Sequence, residues 1–302
     1  MIVVMGATGA TGGATLRSLA ALGVPARALS RAPARLTRTE PFTAPSTTPF
    51  TEPLIEPFVA DAADPASLRT AFRGARQVFL TMANGPEQVR YELNAVEAAV
   101  DCGVEHVLKV SAPAAEPDSP VAVSRGHHLV EERLRASGLA TTVLRPYAFM
   151  QKLLLLAPGV AAAGVLPGAM DDARCNYVDV RDVGDVAAAL LTRPEPLGGV
   201  HPLTGGRAYS HRELAELLGG LLDRPVRHVD LGPAGLRAQL TGAGMPGWLA
   251  AHVVEIQRLA VARPEAPDDT QVRLTGRPPR TLEAFLREHL HHFRRTGPFI
   301  ED

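Results

Sequence analysis

Lysine is almost absent from this sequence of 302 residues, in which Lys109 and Lys152 are the only two. No lysine stands four residues after any of the four tyrosines, so a tyrosine acid assisted by a lysine at that spacing is excluded. The phosphate-binding lysine of a Walker loop is missing, as is the G-x-S-x-G elbow of many hydrolases. Any catalytic chemistry must therefore come from other groups or from a bound cofactor.

Cysteine and net charge are also low. Cys102 and Cys175 form neither a disulfide framework nor a CxxC pair, which favours a reducing, cytoplasmic location. The formal net charge is -1, so neither a nucleic acid nor an anionic membrane surface is an expected partner. The histidines lack the HExxH spacing, and H-L-H-H-F near the carboxy terminus is typical of a polar helix end, so no metal site is expected.

Long hydrophobic runs that could cross a membrane are lacking as well. The uncharged stretch 153–170 has the length of a membrane span, but Pro158, Pro167 and three glycines interrupt it. It predicts a short buried helix followed by a loop over a pocket. The apolar start of the chain is only one strand long and has no basic leader, so no signal peptide is expected.

The sequence does contain regular alternation of apolar strand-length runs with helical segments, which is typical of βαβ units. Strands are predicted at 2–5, 26–30, 57–60, 77–81, 106–111 and 141–145, and helices at 12–22, 65–72, 86–102 and 124–137. Several strands are continuous apolar runs, as expected when helices cover both faces of the sheet. The pattern predicts an α/β fold with a Rossmann-type, doubly wound parallel sheet.

The domain organisation is predicted from the positions at which the alternation of strands and helices is interrupted. A proline-rich stretch, 38–58, predicts a surface insertion loop, although a proline-motif ligand is an alternative. Residues 1–146 form the predicted nucleotide-binding domain, and 174–193, a strand leading into a helix, return to it. Residues 147–173 and 194–302 form a smaller mixed α/β lobe in this prediction. It includes a helix that begins with a capping box, Ser210 and Glu213, and a strand that follows this helix.

The opening M-I-V-V-M-G-A-T-G-A-T-G-G places a glycine-rich turn between the first strand and the first helix. Such a turn presents free backbone N–H groups and the positive end of the helix to a phosphate. Gly6, Gly9 and Gly12 are spaced G-x-x-G-x-x-G, and a turn without a ligand is the alternative. The second strand ends in Ser30 and Arg31 with no acidic residue until Glu40, which favours NADP(H), with NAD(H) possible; an ordinary solvated Arg31 is the alternative.

At these residues the sequence resembles the atypical short-chain dehydrogenase/reductases of the NmrA-like group, which includes NAD(P)H:quinone and triphenylmethane reductases. The resemblance rests on G-A-T-G-A-T-G-G, V-A-D-A-A-D-P-A-S-L-R-T-A-F-R-G, H-H-L-V-E-E-R-L-R-A-S-G-L-A-T-T-V-L-R-P-Y-A-F-M-Q, Y-V-D-V-R-D-V-G-D-V-A-A-A-L-L and L-T-G-R-P-P-R-T-L-E-A-F-L-R-E-H. It covers nearly the whole chain and implies an NADPH-dependent oxidoreductase.

The resemblance also implies roles for individual residues. The pyrophosphate would be wrapped by Gly6, Thr8, Gly9, Ala10, Thr11 and Gly12, and the 2′-phosphate would lie at Ser30 and Arg31. Asp61 and Ala62 would lie beside the adenine, with a turn or cap role as the alternative for Asp61. Beside the ribose on the nicotinamide side would be Thr81, Met82 and Ala83.

The helix that would carry a tyrosine–lysine pair instead reads Ser124-x-x-x-His128. His128 could hold the ribose or donate a proton, while His127, or a merely structural His128, is the alternative. A site without a strong acid suits quinones and other conjugated acceptors, whose reduction gives a stabilised oxyanion that solvent can protonate.

Further site residues follow the fifth and sixth strands. Ser111 is a candidate cofactor or substrate contact, and Tyr147, Phe149 and Met150 are candidate pocket residues, with core packing as the alternative for these three. The sequence predicts an NADPH-dependent reductase of a small conjugated molecule, with secondary metabolism as a candidate setting. A non-catalytic NADP(H)-binding redox sensor is the alternative, and the sequence does not determine the oligomeric state.

Overall fold

The computed structural model describes residues 1–32 and 54–294. Twelve strands are found in these ranges: β1 (Ile2–Val4), β2 (Ala26–Ser30), β3 (Ile55–Val59), β4 (Gln77–Leu80), β5 (His106–Val110), β6 (Ala140–Pro146), β7 (Ala148–Phe149), β8 (Val165–Gly168), β9 (Arg174–Val178), β10 (Gly199–Leu203), β11 (Ala208–Ser210) and β12 (Arg227–Asp230).

The same ranges contain eleven α-helices: α1 (Ala10–Ala21), α2 (Pro65–Phe72), α3 (Gln88–Asp101), α4 (Ala122–Ala136), α5 (Ala157–Ala163), α6 (Val180–Leu191), α7 (His211–Leu222), α8 (Gly232–Gly242), α9 (Gly247–Ala262), α10 (Thr270–Thr275) and α11 (Leu282–Glu288). Two 3-10 helices span Met150–Leu156 and Leu290–Phe293. None of the described helices is both long and apolar enough to cross a membrane.

The chain divides into two compact units. Unit 1 comprises Met1–Tyr147, Val180–Leu203 and Asp268–Pro279, and unit 2 comprises Ala148–Asp179, Thr204–Pro267 and Arg280–Asp302. The segment that returns to unit 1 was predicted at 174–193, but it begins at Val180 and continues through β10. The difference arises because β9 pairs with β7 and β11, which both belong to unit 2.

Unit 1 is built on a seven-stranded sheet in the order β10-β6-β5-β4-β1-β2-β3, and every pairing in it is parallel. The strand order reverses between β1 and β4, so right-handed crossovers place the helix between β1 and β2 on one face and the helices between β4, β5 and β6 on the other. One face carries α2, α3 and α4, which share a core that includes Phe72, Val96 and Leu134. The predicted Rossmann-type α/β fold is confirmed.

The helices α1 and α6 pack so closely that glycine is required at the contact. A β-carbon on Gly184 of α6 would lie 2.6 Å from the carbonyl carbon of Ala14 in α1. Nearby, the Ser18 hydroxyl donates to the Asp185 carboxylate at 2.7 Å. This contact fixes α6, and with it β10, to the helix that follows the glycine-rich turn.

Two predicted loops are in part strands. The proline-rich stretch 38–58 was expected to be a surface loop, but its last residues, from Ile55, belong to β3; residues 38–53 lie outside the described ranges. Pro57 is tolerated because β3 is the edge strand, where one missing N–H need not interrupt the ladder. The expected loop in 153–170 likewise contains β8, which pairs with β12 across about 60 residues of chain.

Unit 2 contains a buried histidine that packs against a backbone. His211 is 3% exposed at the start of α7, and a β-carbon on Gly168 would lie 2.1 Å from its Nδ1 atom. The neighbouring His228 ring is 5.1 Å away between centroids. Burial, and secondarily His228, lower the pKa of His211 from 6.5 to about 4.

Acid is therefore expected to destabilise the protein through His211. The unfolded chain binds a proton below pH 6.5 whereas the folded chain resists it until about pH 4, so stability is lost as pH falls between these values. The loss attributable to this ring is up to about 3 kcal/mol. Urea unfolding of wild type and His211→Gln between pH 4 and 7 measures it. His291→Gln, at an exposed site, is the control and should show the same pH dependence of stability as wild type. If the stability of His211→Gln falls as steeply with pH as that of wild type, the assignment to His211 is wrong.

Candidate functional site

The carboxyl ends of the strands in unit 1 meet at one edge of the sheet. Because the strands are parallel, the residues that end or follow β1 to β5 stand along this edge: Gly6, Ser30 and Arg31, Asp61, Thr81 to Ala83, and Ser111. Ligands of such folds bind outside this edge, near the reversal of strand order. The structure thus brings the residues predicted for a dinucleotide to one edge of one unit.

At two of the three loop glycines, close backbone contacts within the protein exclude a larger residue. Gly6 adopts a positive φ of 63°, and a β-carbon on it would lie 2.6 Å from the Thr81 carbonyl oxygen. A β-carbon on Gly12 would lie only 2.2 Å from the Gly6 carbonyl oxygen. These contacts hold the first turn of α1 against the ends of β1 and β4.

Gly9 differs, because it is exposed and is the N-cap of α1. Its own N–H donates to the Gly6 carbonyl at 2.9 Å, and no side chain caps the helix. The N–H groups of the first turn, from Ala10, Thr11 and Gly12, have no partner within the helix, and that turn contains no acidic residue. This N-terminus therefore has the N–H groups and the helix dipole that favour an anion.

The end of β2 presents a hydroxyl and an arginine. The Ser30 Oγ accepts from the Ala32 N–H at 3.0 Å, which leaves its own O–H available to donate. Ser30 is 8% exposed, and the Arg31 side chain beside it is exposed. Both groups can donate to a phosphate at this position.

Asp61 has the turn role that was its alternative. Its Oδ1 accepts from the Ala63 N–H at 2.9 Å, and its N–H donates to the Ser67 Oγ at 3.1 Å. The next carbonyl, of Ala62, accepts from the Asn94 side chain at 3.0 Å. Asp61 is exposed shortly after β3, so its turn role leaves it accessible to a ligand at the sheet edge.

The end of β4 supports the glycine turn. Thr81 is 9% exposed and lies against Gly6. Met82 packs against the core below the sheet edge, whereas Ala83 is exposed. Of the three predicted ribose contacts, Ala83 therefore offers the most surface to a ligand.

Two neighbouring histidines of α4 have different surroundings. His127 is 4% exposed and enters the core, whereas His128 is half-buried. Ser124, one turn earlier, is fully buried and donates to the Pro113 carbonyl at 2.8 Å. The hydroxyl at the position of a catalytic tyrosine is thus held by the backbone.

The predicted substrate residues fall in both units. Tyr147 ends the first segment of unit 1, where its N–H donates to the Leu203 carbonyl at 3.0 Å, and it is 6% exposed. Phe149 is half-buried in β7 of unit 2. Met150 begins the following 3-10 helix and is 1% exposed, so core packing accounts for its side chain.

A buried polar cluster beside β5 was not predicted. The Lys109 ammonium lies 2.9 Å from Glu92 Oε1 and 3.0 Å from His127 Nδ1, and it also donates to the Val110 carbonyl. Gln88 contacts the other ring nitrogen of His127. The Lys109 and Glu92 side chains are fully buried. The signal available was the single lysine within the apolar strand H-V-L-K-V.

A second buried cluster lies two residues further along the chain, directly after β5. Ser111 donates to Glu131 of α4 at 2.6 Å, and Arg145 of β6 lies 2.6 Å from the same carboxylate. Glu131 is 2% exposed. His127 and Glu131 stand four residues apart, so one face of α4 supplies both clusters.

The family model for the NmrA-like family matches residues 1–261, most of the chain. The chain belongs to the NmrA-like family. An NAD(P)H azoreductase of Xenophilus azovorans is 31% identical to this NmrA-like protein, over 97% of the chain and 99% of the relative. A (4-alkanoyl-5-oxo-2,5-dihydrofuran-3-yl)methyl phosphate reductase of Streptomyces griseus is 34% identical over the same shares.

Solved structures match this NmrA-like chain over nearly its whole length. An NADPH-dependent quinone oxidoreductase of Escherichia coli, crystallised with NADPH, superposes with a TM-score of 0.84 at 26% identity, covering 96% of this chain and 100% of that one. Triphenylmethane reductase of Citrobacter, in complex with NADP(H), gives a TM-score of 0.81 at 21% identity, covering 97% and 100% of the two chains. The latter likeness concerns the fold.

Proposed function

We propose that this protein is an NADPH-dependent oxidoreductase of the NmrA-like type that reduces a quinone-like or otherwise conjugated small molecule. The observation that carries the proposal is the uncapped N-terminus of α1 at the exposed Gly9, which offers first-turn N–H groups at the carboxyl edge of a parallel sheet. The names of its relatives supply the reaction class: they are reductases or oxidoreductases of azo, quinone or dihydrofuranone compounds.

Within this proposal the chain binds and orients, and the cofactor supplies the hydride. The first turn of α1, with Thr8 and Gly9, holds the pyrophosphate, while Ser30 and Arg31 donate to the 2′-phosphate. The ends of β4 and β5 hold the nicotinamide half. The Ser124 hydroxyl already donates to the Pro113 carbonyl, so His128 is the proton donor of α4 in this proposal. Where His128 does not reach the reduced substrate, solvent protonates it.

Arg31→Ala tests the cofactor preference. The variant is expected to weaken NADPH binding by about tenfold to a hundredfold, because it removes a charged donor to the 2′-phosphate. NADH binding should change less than about twofold, since NADH lacks that phosphate. Titration of the reduced-nicotinamide fluorescence with both cofactors measures the two dissociation constants. If Arg31→Ala weakens NADPH and NADH binding equally, Arg31 does not recognise the 2′-phosphate.

The reaction is tested in a single turnover. The protein is loaded with NADPH, a panel of quinones, azo dyes and conjugated enones is added, and loss of the nicotinamide absorbance is followed. Consumption faster than without protein, slowed in His128→Ala and unchanged in His291→Ala, supports the reductase with His128 as donor. Tight NADPH binding without consumption of any acceptor would favour the redox sensor instead.

Two further expectations belong to this proposal. Cys102 and Cys175 are both free thiols, which supports a reducing, cytoplasmic location. The formal net charge of -1 supports a small molecule rather than a nucleic acid as the partner.

A further inference from the structure

The hydroxyl of Ser111, directly after β5, is held by a buried carboxylate. Ser111 Oγ lies 2.6 Å from Glu131 Oε1, and Glu131 is 2% exposed. Arg145 faces both oxygens of this carboxylate, with Nε 3.1 Å from Oε1 and a terminal nitrogen 2.6 Å from Oε2. The same terminal nitrogen also donates to the Ala115 carbonyl at 3.0 Å.

The direction of the hydrogen bond follows from the partners. An arginine only donates, so both oxygens of Glu131 act as acceptors toward Arg145. The ionised carboxylate is the form that suits this arrangement, because a proton on either oxygen would face a donor. Ser111 must then donate its only hydrogen to Glu131, and its oxygen retains lone pairs alone. Toward any ligand, Ser111 is an acceptor.

The position of Ser111 along the sheet edge says which part of a dinucleotide it faces. The strand order is β5-β4-β1-β2-β3, with the glycine-rich turn after β1 and Ser30 at the end of β2. A cofactor with its pyrophosphate at β1 and its adenosine toward β2 and β3 extends its other half toward β4 and β5. Ser111 lies two strands from β1, roughly 10 Å at about 4.8 Å per strand, which a nicotinamide riboside spans.

We propose that Glu131 is a positioning residue that makes Ser111 an acceptor for a hydrogen-bond donor on the nicotinamide half of the cofactor. The proposal rests on the proposed function, because it requires NADP(H) at this edge. Two donors of that half fit the chemistry: the amide nitrogen of the carboxamide and the ribose hydroxyls. In Glu131→Gln, the amide nitrogen is expected at the Oε1 position, because the opposing Arg145 donor is 3.1 Å away there and only 2.6 Å away at Oε2; it would then donate to Ser111 and occupy one of its lone pairs.

The test compares Ser111→Ala, Glu131→Gln and the double variant with wild type. Glu132→Gln, the exposed neighbour on α4, makes the same charge change and is the control. Isothermal titration calorimetry measures the dissociation constants of NADPH and of adenosine 2′,5′-bisphosphate, which lacks the nicotinamide half. Each single variant is expected to weaken NADPH binding by about threefold to tenfold, the value of one hydrogen bond, and to leave the fragment within about twofold.

Glu131 is argued to act through Ser111, so the double variant should bind NADPH no more weakly than Ser111→Ala. Binding of 3-acetylpyridine adenine dinucleotide phosphate, which has no amide nitrogen, shows which group of the cofactor is the donor to Ser111. If the carboxamide is the donor, Ser111→Ala will not weaken this analogue although it weakens NADP; if a ribose hydroxyl is the donor, both are weakened alike.

Several results would overturn the proposal. These are unchanged NADPH affinity in both single variants, equal weakening of NADPH and the fragment, or additive losses in the double variant. If Glu131→Gln does not fold, Ser111→Ala still tests the acceptor, because it leaves the Glu131 and Arg145 pair intact, and an unchanged NADPH affinity in this variant alone overturns the proposal. A wild-type protein that fails to bind NADPH would instead contradict the proposed function, so the two failures are distinguishable.

Discussion

Replacing Lys109 by methionine is expected to lower the free energy of unfolding by about 3–5 kcal/mol. The ammonium and the Glu92 carboxylate are both fully buried, so the substitution leaves a carboxylate without its counter-charge in the core. Burial raises the pKa of Glu92, and Lys109 opposes that shift. Without Lys109 the folded-state pKa rises further. Urea unfolding at pH 8 measures the loss.

The pH dependence of this variant separates electrostatics from packing. A carboxyl group whose folded pKa lies above its unfolded pKa contributes stability at low pH and loses it as pH rises. The deficit of Lys109→Met should therefore be smaller at pH 5 than at pH 8. Lys152→Met, at the exposed second lysine, should stay within about 0.5 kcal/mol of wild type. A deficit that is independent of pH would mean that Glu92 carries no charge in the native protein.

A double replacement addresses the pair as a unit. Lys109→Met with Glu92→Leu removes both charges and keeps apolar volume, so it should recover most of the stability lost in the single variant. His127 then loses its contacts to both charged side chains but keeps Gln88. A double variant as unstable as Lys109→Met would show that the cluster stabilises the core through more than the ion pair.

The elements of the central sheet were predictable because their signal is local. Runs such as Q-V-F-L-T and H-V-L-K-V are continuous apolar segments, and they form β4 and β5. The helix α7 was equally local: Ser210 accepts from the Glu213 N–H, and the Glu213 side chain accepts from the Ser210 N–H, as a capping box requires. Each of these features is decided by residues within one or two turns.

The strand β8 was missed because its partner is distant in sequence. Its four residues, with Pro167 among them, carry no alternation and follow a helix. They become a strand only by pairing with β12, where Leu166 lies opposite His228. A pattern of single residues cannot contain that information.

The candidate site divides in the same way. The placement of the glycine turn, Ser30 and Arg31 at the sheet edge was predictable, because they stand at or directly after the ends of β1 and β2. The partners of Lys109 and Ser111 were not, because Glu92, His127 and Glu131 reach them only through the packing of α3 and α4 on the sheet. For Asp61, one sequence position served two roles equally well, and only the contact to the Ala63 N–H shows the turn.

Gly12→Ala is expected to be the most damaging single change in the nucleotide loop. The added β-carbon would lie 2.2 Å from the Gly6 carbonyl oxygen and 2.7 Å from its carbonyl carbon, and backbone cannot move aside as a flexible side chain can. The first turn of α1 must shift, which should cost about 3 kcal/mol or more of unfolding free energy. Because the same turn offers the N–H groups proposed to hold the pyrophosphate, NADPH binding should weaken by at least about tenfold.

The adjacent Gly13→Ala is the matched control, since it makes the same chemical change in the same helix. Its β-carbon would meet the end of the Arg17 side chain at 3.5 Å and the Ala7 carbonyl oxygen at 3.6 Å, which are ordinary contacts. Alanine also favours the helix over glycine by up to about 1 kcal/mol, so this variant should be as stable as wild type or more so. Urea unfolding and NADPH titration of both variants test the pair. If Gly13→Ala loses as much as Gly12→Ala, the loop requires flexibility as such, and the close approach of Gly12 to Gly6 is not what demands glycine there.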